Sequence, residues 1–115
     1  MEYRQLGCSG VRVSVIGLGT NRYGSSTLPQ EEVARIIDYA REVGINYIDS
    51  SNSYTKGQSE ITLGRALKGH WDKFVVATKF WFPTGEGTND RGASRYHMMN
   101  AFETSFEFGL LVPLP

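Results

Sequence analysis

Asp49, Tyr54 and Lys79 are the residues of this sequence whose types and placement suit proton transfer. The segment INYIDSS (45–51) reads as a strand with Asp49 near its C-terminal end, and FVVATKF (74–80) as a second strand with Lys79 in the same place. Tyr54 falls on the loop after the first of these. In parallel α/β folds the C-terminal strand ends face the active site. An Asp and a Lys among small apolar neighbours are costly to bury unless they pair. A lysine held by that carboxylate beside a tyrosine would favour the phenolate and lower the tyrosine pKa from about 10. Such a tyrosine could donate a proton to a carbonyl oxygen as hydride reaches the carbon. An Asp–Lys pair at strand ends is also what a structural ion pair looks like, and a loop tyrosine is often a packing residue. Spacing alone leaves both readings open.

These residues need elements to hold them. Residues 3–14 place two short stretches around Gly7-Cys8-Ser9-Gly10, a hairpin pattern. The apolar run Val13–Thr20 reads as one strand buried on both faces. Thr27 and Gln30 have capping-box spacing, with Pro29 in the first turn, for a helix whose stripe is Val33, Ile36, Ile37, Ala40 and Val43 and whose end is Gly44. Ser59 is the expected cap of a second helix carrying Ile61, Leu63, Ala66 and Leu67, closed by Gly69. Trp81–Ser94 is a long connection of the kind that often carries function. Ser94 then opens a third helix with Met98, Ala101, Phe102, Ser105 and Phe106 on one side. A hairpin followed by three strand–helix units calls for a parallel sheet covered by helices.

Composition narrows the classes. Among 115 residues, twelve basic and twelve acidic side chains give no net charge, hence no basic footprint for nucleic acid and no polybasic membrane segment. No apolar run is long enough to span a bilayer, and the N-terminus lacks a secretory signal's apolar core. The expectation is a cytoplasmic protein with no nucleic-acid partner, no membrane and no metal site. The lone Cys8 reads as a packing residue beside the turn.

Several ordered blocks resemble the aldo-keto reductase family. YRQLGCSGVRVSVIGLGT resembles its opening hairpin and first strand, and GINYIDSSNSYTKGQSEITLGRALKG resembles G-I-N-x-I-D-T-A-x-x-Y-G-x-G-x-S-E-x-x-L-G-x-A-L. DKFVVATKF is similar to its third strand, and NDRGASRYHM to the branch that includes potassium-channel β subunits. Together they cover about residues 3–105, and ordered blocks at matching separations are more specific than a lone motif. The resemblance implies the N-terminal part of a (β/α)8 TIM barrel, an opening β-hairpin plus about three βα units. It implies reduction of small-molecule aldehydes or ketones with NADPH. Asp49, Tyr54 and Lys79 match three of the family's four catalytic positions, and Gly19, Thr20 and Asn21 match the loop that contacts the nicotinamide end of the cofactor.

The sequence departs from the family in places. Asp49-Ser50-Ser51 replaces D-T-A, and Thr55 stands where glycine usually follows the tyrosine. The family's catalytic histidine, after a D-Y-I-D-L-Y type segment, has no counterpart. Neither His70 nor His97 replaces it, and both read as surface residues. Residues 1–115 therefore read as a partial, truncated reductase domain with a divergent tail over 106–115, inactive by itself and suggestive of a shifted reading frame. The alternative is a non-catalytic fragment or an interaction module that self-associates through open sheet edges. Gly17-Leu18-Gly19 is a poor Rossmann fingerprint, because Gly24 comes too late and the helix starts only near Leu28.

Overall fold

The computed structural model describes residues 1–110. Strands β1 (Tyr3–Gln5) and β2 (Arg12–Ser14) form the antiparallel hairpin. They are followed by β3 (Gly17–Gly19), α1 (Gln30–Val43), β4 (Tyr47–Asp49), α2 (Gln58–Leu67), β5 (Val75–Ala77) and α3 (Arg95–Glu107). Two 3₁₀ turns, Tyr54–Gly57 and Trp71–Lys73, precede α2 and β5. Strands β3, β4 and β5 pair in parallel and in sequential order, with Gly17 opposite Tyr47 and Tyr47 opposite Val75. Successive strand–helix units laid side by side in this way make an arc of a barrel wall. Within the described residues the arc does not close, so β3 and β5 are its two edges.

The core lies between the sheet and α1 and α2. Val33, Ile37 and Ala40 recur at helical spacing and face Ile48, Leu63 and Leu67, all buried. Gly44 ends α1 in the left-handed conformation (φ 83°), where a side chain would be strained, and its carbonyl accepts from the Tyr3 hydroxyl at 2.7 Å. Asn46 fastens the hairpin to β4: its Oδ1 accepts from Ser14 N (2.7 Å) and its Nδ2 donates to Arg12 O (3.0 Å). The hairpin is thus bolted to the N-terminal end of the sheet, away from Asp49.

Several local expectations are corrected. The run Val13–Thr20 is not one buried strand: Ser14 ends β2, and Val15 and Ile16 form an exposed bend (46% and 56%) before β3. Hydrophobicity alone could not show that the hairpin and the sheet share this stretch. The Thr27–Gln30 capping box does not form. Pro29 is the N-cap of α1, Thr27 Oγ1 accepts from Arg22, and Gln30 Nε2 donates to Thr62 O at 3.1 Å. Gly57, not Ser59, precedes α2, and Ser59 lies buried in its first turn. Cys8 is exposed rather than packed. Of the stripe read for α3, only Ala101 and Ser105 are buried; Met98, Phe102 and Phe106 face outward. Of the tail 106–115, residues 111–115 lie outside the described residues, and Leu110 joins the core.

Candidate active site

The sheet ladder carries Lys79 to Asp49. Asp49 is the last residue of β4, opposite Gly19 on one side and Ala77 on the other. Parallel pairing continues past the strand ends, with Ser50 N donating to Ala77 O (2.8 Å) and Asn52 N to Lys79 O (3.1 Å). Ser51 Oγ adds a longer bond to the same carbonyl at 3.4 Å, a tie that alanine at this position could not make. The Lys79 ammonium donates to Asp49 Oδ1 (2.8 Å), Asp49 Oδ2 (2.7 Å) and Ser50 O (2.7 Å). These contacts engage all three of its N–H groups.

Tyr54 meets the same cation from the loop. Its ring centroid is 5.0 Å from Lys79 Nζ, close enough for a cation–π contact. Partial burial is the largest single influence on the ammonium and pulls its pKa down. The Asp49 carboxylate and Tyr54 together outweigh it and hold the group above the usual lysine value. The pair is open to solvent, with side-chain exposures of 49% for Lys79 and 41% for Asp49. A pair so exposed contributes only about 0–1 kcal/mol to stability. Charge placement, more than stability, is what this contact provides.

The first strand's loop meets this cluster, but unevenly. Thr20 is buried, and its side chain is committed inward: Oγ1 donates to Asp49 O (3.1 Å), while Ser59 Oγ donates to Thr20 O (2.8 Å). Gly19, beside Asp49, has open space where a Cβ would stand, and Asn21 is exposed. A flat ring could approach Gly19 closely, and Asn21 could offer its amide. Thr20 shapes this loop from behind.

Sequence reasoning missed three features. Glu60 is fully buried in α2 and accepts from Thr78 Oγ1 (2.6 Å) and Ser105 Oγ (3.0 Å to each oxygen), joining α2, the end of β5 and α3. Burial raises its pKa, and the two hydroxyl bonds only partly offset this. Its place among Ile61, Leu63 and Leu67 was the available signal. His97 is 2% exposed, not a surface residue, and its ring tilts against Phe80 at 5.8 Å. Thr55 and Lys56, directly after Tyr54, both have positive φ (51° and 53°).

A strand-end Asp–Lys–Tyr cluster thus stands on a parallel α/β arc. The chain belongs to the aldo/keto reductase family, whose sequence model matches residues 15–108. It is 33% identical over 111 residues to a probable voltage-gated potassium channel subunit beta from Oryza sativa subsp. japonica, and 32% identical to one from Arabidopsis thaliana. Each match covers 93% of this chain and 33% of the relative. A putative aldo-keto reductase from Pseudomonas aeruginosa superposes with a TM-score of 0.79 at 34% identity, covering 93% of this chain and 41% of that one. The holo form of an aldo-keto reductase from Bacillus halodurans gives 0.79 at 32% identity, covering 95% and 36%. The chain thus spans about a third of the length of the curated relatives it matches. Its fold is the N-terminal part of the family's (β/α)8 barrel: the opening hairpin and three βα units. The family as a whole consists of carbonyl oxidoreductases that generally use NAD(P)H.

Proposed function

We propose that Asp49, Tyr54 and Lys79 form the proton-delivering part of a site that reduces aldehydes or ketones with NADPH when the rest of a barrel is present. The observation that carries this reading is the Lys79 ammonium, clamped by both Asp49 oxygens and set against Tyr54. Gly19 and Asn21 would hold the nicotinamide end of the cofactor, which would supply hydride to the carbonyl carbon. Tyr54 gives its proton to the carbonyl oxygen. Lys79 stabilises the phenolate left behind, and Asp49 keeps Lys79 charged and in place. Ser50 O is the one neutral acceptor of Lys79, so the N–H it holds is the one that exchanges partners at least cost as negative charge develops on the Tyr54 hydroxyl.

Residues 1–115 by themselves neither hold NADPH tightly nor turn over carbonyls in this proposal. A barrel of this kind takes about 250 residues, and its phosphate site is commonly built from the loops after its last strands. The described contacts suit only the nicotinamide end. Titrating the purified chain with NADPH and following its fluorescence checks this; saturation at micromolar concentrations would sink the inactivity proposal. Zero net charge accords with small-molecule rather than nucleic-acid partners, and no helix of the described residues is long and apolar enough to cross a membrane.

A second reading, self-association without catalysis, rests on the open edges of β3 and β5 and on the exposed Trp81 and Phe82. Size-exclusion chromatography distinguishes the two. A discrete dimer supports the module, and a monomer or a void-volume aggregate removes it.

A further inference from the structure

Lys79 stands just beyond the end of β5, where the sheet holds the chain from one side only. From the β4 side, Ser50 N donates to Ala77 O (2.8 Å) and Asn52 N to Lys79 O (3.1 Å), while the other side of β5 is an edge of the arc. Between those two carbonyls lies Thr78, whose hydroxyl donates to Glu60 Oε1 at 2.6 Å. Side chains alternate along an extended chain, so Thr78 turns to the helix layer as Lys79 turns to Asp49. Glu60 is the partner of this strand exit on its helix side.

The choice of a carboxylate needs a reason. Glu60 is fully buried, and no cation among the described residues pairs with it, a costly arrangement for an ionisable group. Leu63 and Leu67 on the same helix show that apolar side chains suffice for packing there. What a carboxylate adds is a pair of acceptor oxygens: they take the bond from Thr78 and a second tie from Ser105 Oγ on α3, 3.0 Å to each oxygen. The neighbouring Ser59, also buried, donates to Thr20 O (2.8 Å) and lies 3.5 Å from Ser50 Oγ. The first turn of α2, entered directly from the turn that carries Tyr54, therefore grips the exits of β3, β4 and β5.

We propose that Glu60 is a positioning residue for Lys79: through Thr78 it fixes the β5 exit so that the Lys79 ammonium meets Asp49 and Tyr54. This rests on the role given to those three residues, and the test separates the two. In the whole chain, with lysine side chains labelled with ¹⁵N, exchange of the ammonium protons with water is measured near neutral pH. Lys68, exposed and in no ion pair among the described residues, is the internal control. Lys79 should exchange several-fold more slowly than Lys68. Thr78→Val should speed Lys79 exchange roughly fivefold, the scale of one lost hydrogen bond, while Ser105→Ala, which frees Glu60 only from α3, leaves it within about twofold. Thr78→Ser keeps the hydroxyl and should keep the slow exchange. If Thr78→Val does not fold, Glu60→Gln, a weaker acceptor, carries the test: faster Lys79 exchange supports the proposal and an unchanged rate overturns it. Wild-type Lys79 exchanging as fast as Lys68 overturns the Asp49–Lys79–Tyr54 reading together with the proposal. Slow exchange that survives Thr78→Val overturns the proposal alone, and equal losses in Thr78→Val and Ser105→Ala overturn it by marking Glu60 as a packing residue.

Discussion

The Thr55 hydroxyl donates to the Tyr23 carbonyl at 2.7 Å while its own backbone sits in the left-handed region. A β-branched residue there costs about 1–2 kcal/mol relative to an ordinary conformation. The hydrogen bond ties the loop carrying Tyr54 to a buried residue of the first strand's loop, which holds the strained geometry in place. Two substitutions separate strain from bonding. Thr55→Ala loses the bond and keeps a Cβ at positive φ; Thr55→Gly loses the bond and removes the strain. Thr55→Gly is therefore expected to be more stable than Thr55→Ala by about 1 kcal/mol, read from urea midpoints. The reverse order would mean that the left-handed conformation is not held in solution.

Glu60 makes a pH-dependent contribution of unusual sign. Its folded pKa lies above the ordinary value of 4.5, with burial as the cause, so the folded chain binds the proton more tightly than the unfolded one. The contribution is fully present below pH 4.5 and is lost as pH rises through the raised value. No lysine or arginine among the described residues forms an ion pair with it. Glu60→Gln keeps the shape and an acceptor for Thr78 or Ser105 but cannot ionise. The stability difference between wild type and Glu60→Gln should fall as pH is raised from below 4.5, measured by denaturant titration at each pH. A flat difference would show that Thr78 and Ser105 compensate the buried charge in full.

The meeting of Asp49 and Lys79 was legible because both follow short apolar runs: the ladder sets Asp49 opposite Ala77, and Lys79, two residues beyond β5, reaches back to its carboxylate. What pattern could not show is which apolar residues find a partner. In α3 the buried face is His97, Ala101 and Ser105, one step of four apart, whereas the stripe read from the sequence held Ala101 and Ser105 but missed His97 and added Met98, Phe102 and Phe106. Those three have no cover among the described residues, so apolar character and burial separate there. Ser59 and Glu60 are the converse case. Their burial depends on hydroxyl and carbonyl partners 18 to 45 residues away, and local spacing carries no trace of such partners.

Tyr23 should dominate the alkaline limb of stability. It is 3% exposed, and burial pushes its pKa from 10.0 up to about 12. A raised folded pKa gives stability that is fully present below pH 10.0 and is lost as pH climbs through about 12. The amount at stake is about 3 kcal/mol. Lys79, also held above the usual lysine value, titrates on the alkaline side as well, so wild type alone would not separate the two. Tyr23→Phe removes only the tyrosine contribution. Its unfolding midpoint should hold steadier than the wild type's between pH 10 and 12, and parallel curves would show that the Tyr23 hydroxyl reaches solvent.

Gly64 gives a test whose sign is informative. In the interior of a helix, alanine is favoured over glycine by about 1 kcal/mol, so on α2 alone Gly64→Ala should stabilise the chain. A Cβ at this position, however, would lie 2.8 Å from the carbonyl carbon and oxygen of Gly109 and from the carbonyl oxygen of Phe108. Those are backbone atoms, which cannot swing aside as a side-chain end can, and the segment they belong to delivers Leu110 into the core. Moving it costs about 1–3 kcal/mol in lost packing, enough to outweigh the gain in helix propensity. Gly64→Ala is expected to lower stability by about 1 kcal/mol in urea, and Leu110→Ala to lower it further by uncovering α2. If Gly64→Ala instead stabilises the chain, the Phe108–Leu110 segment does not rest on α2, and Leu110→Ala should then have almost no effect.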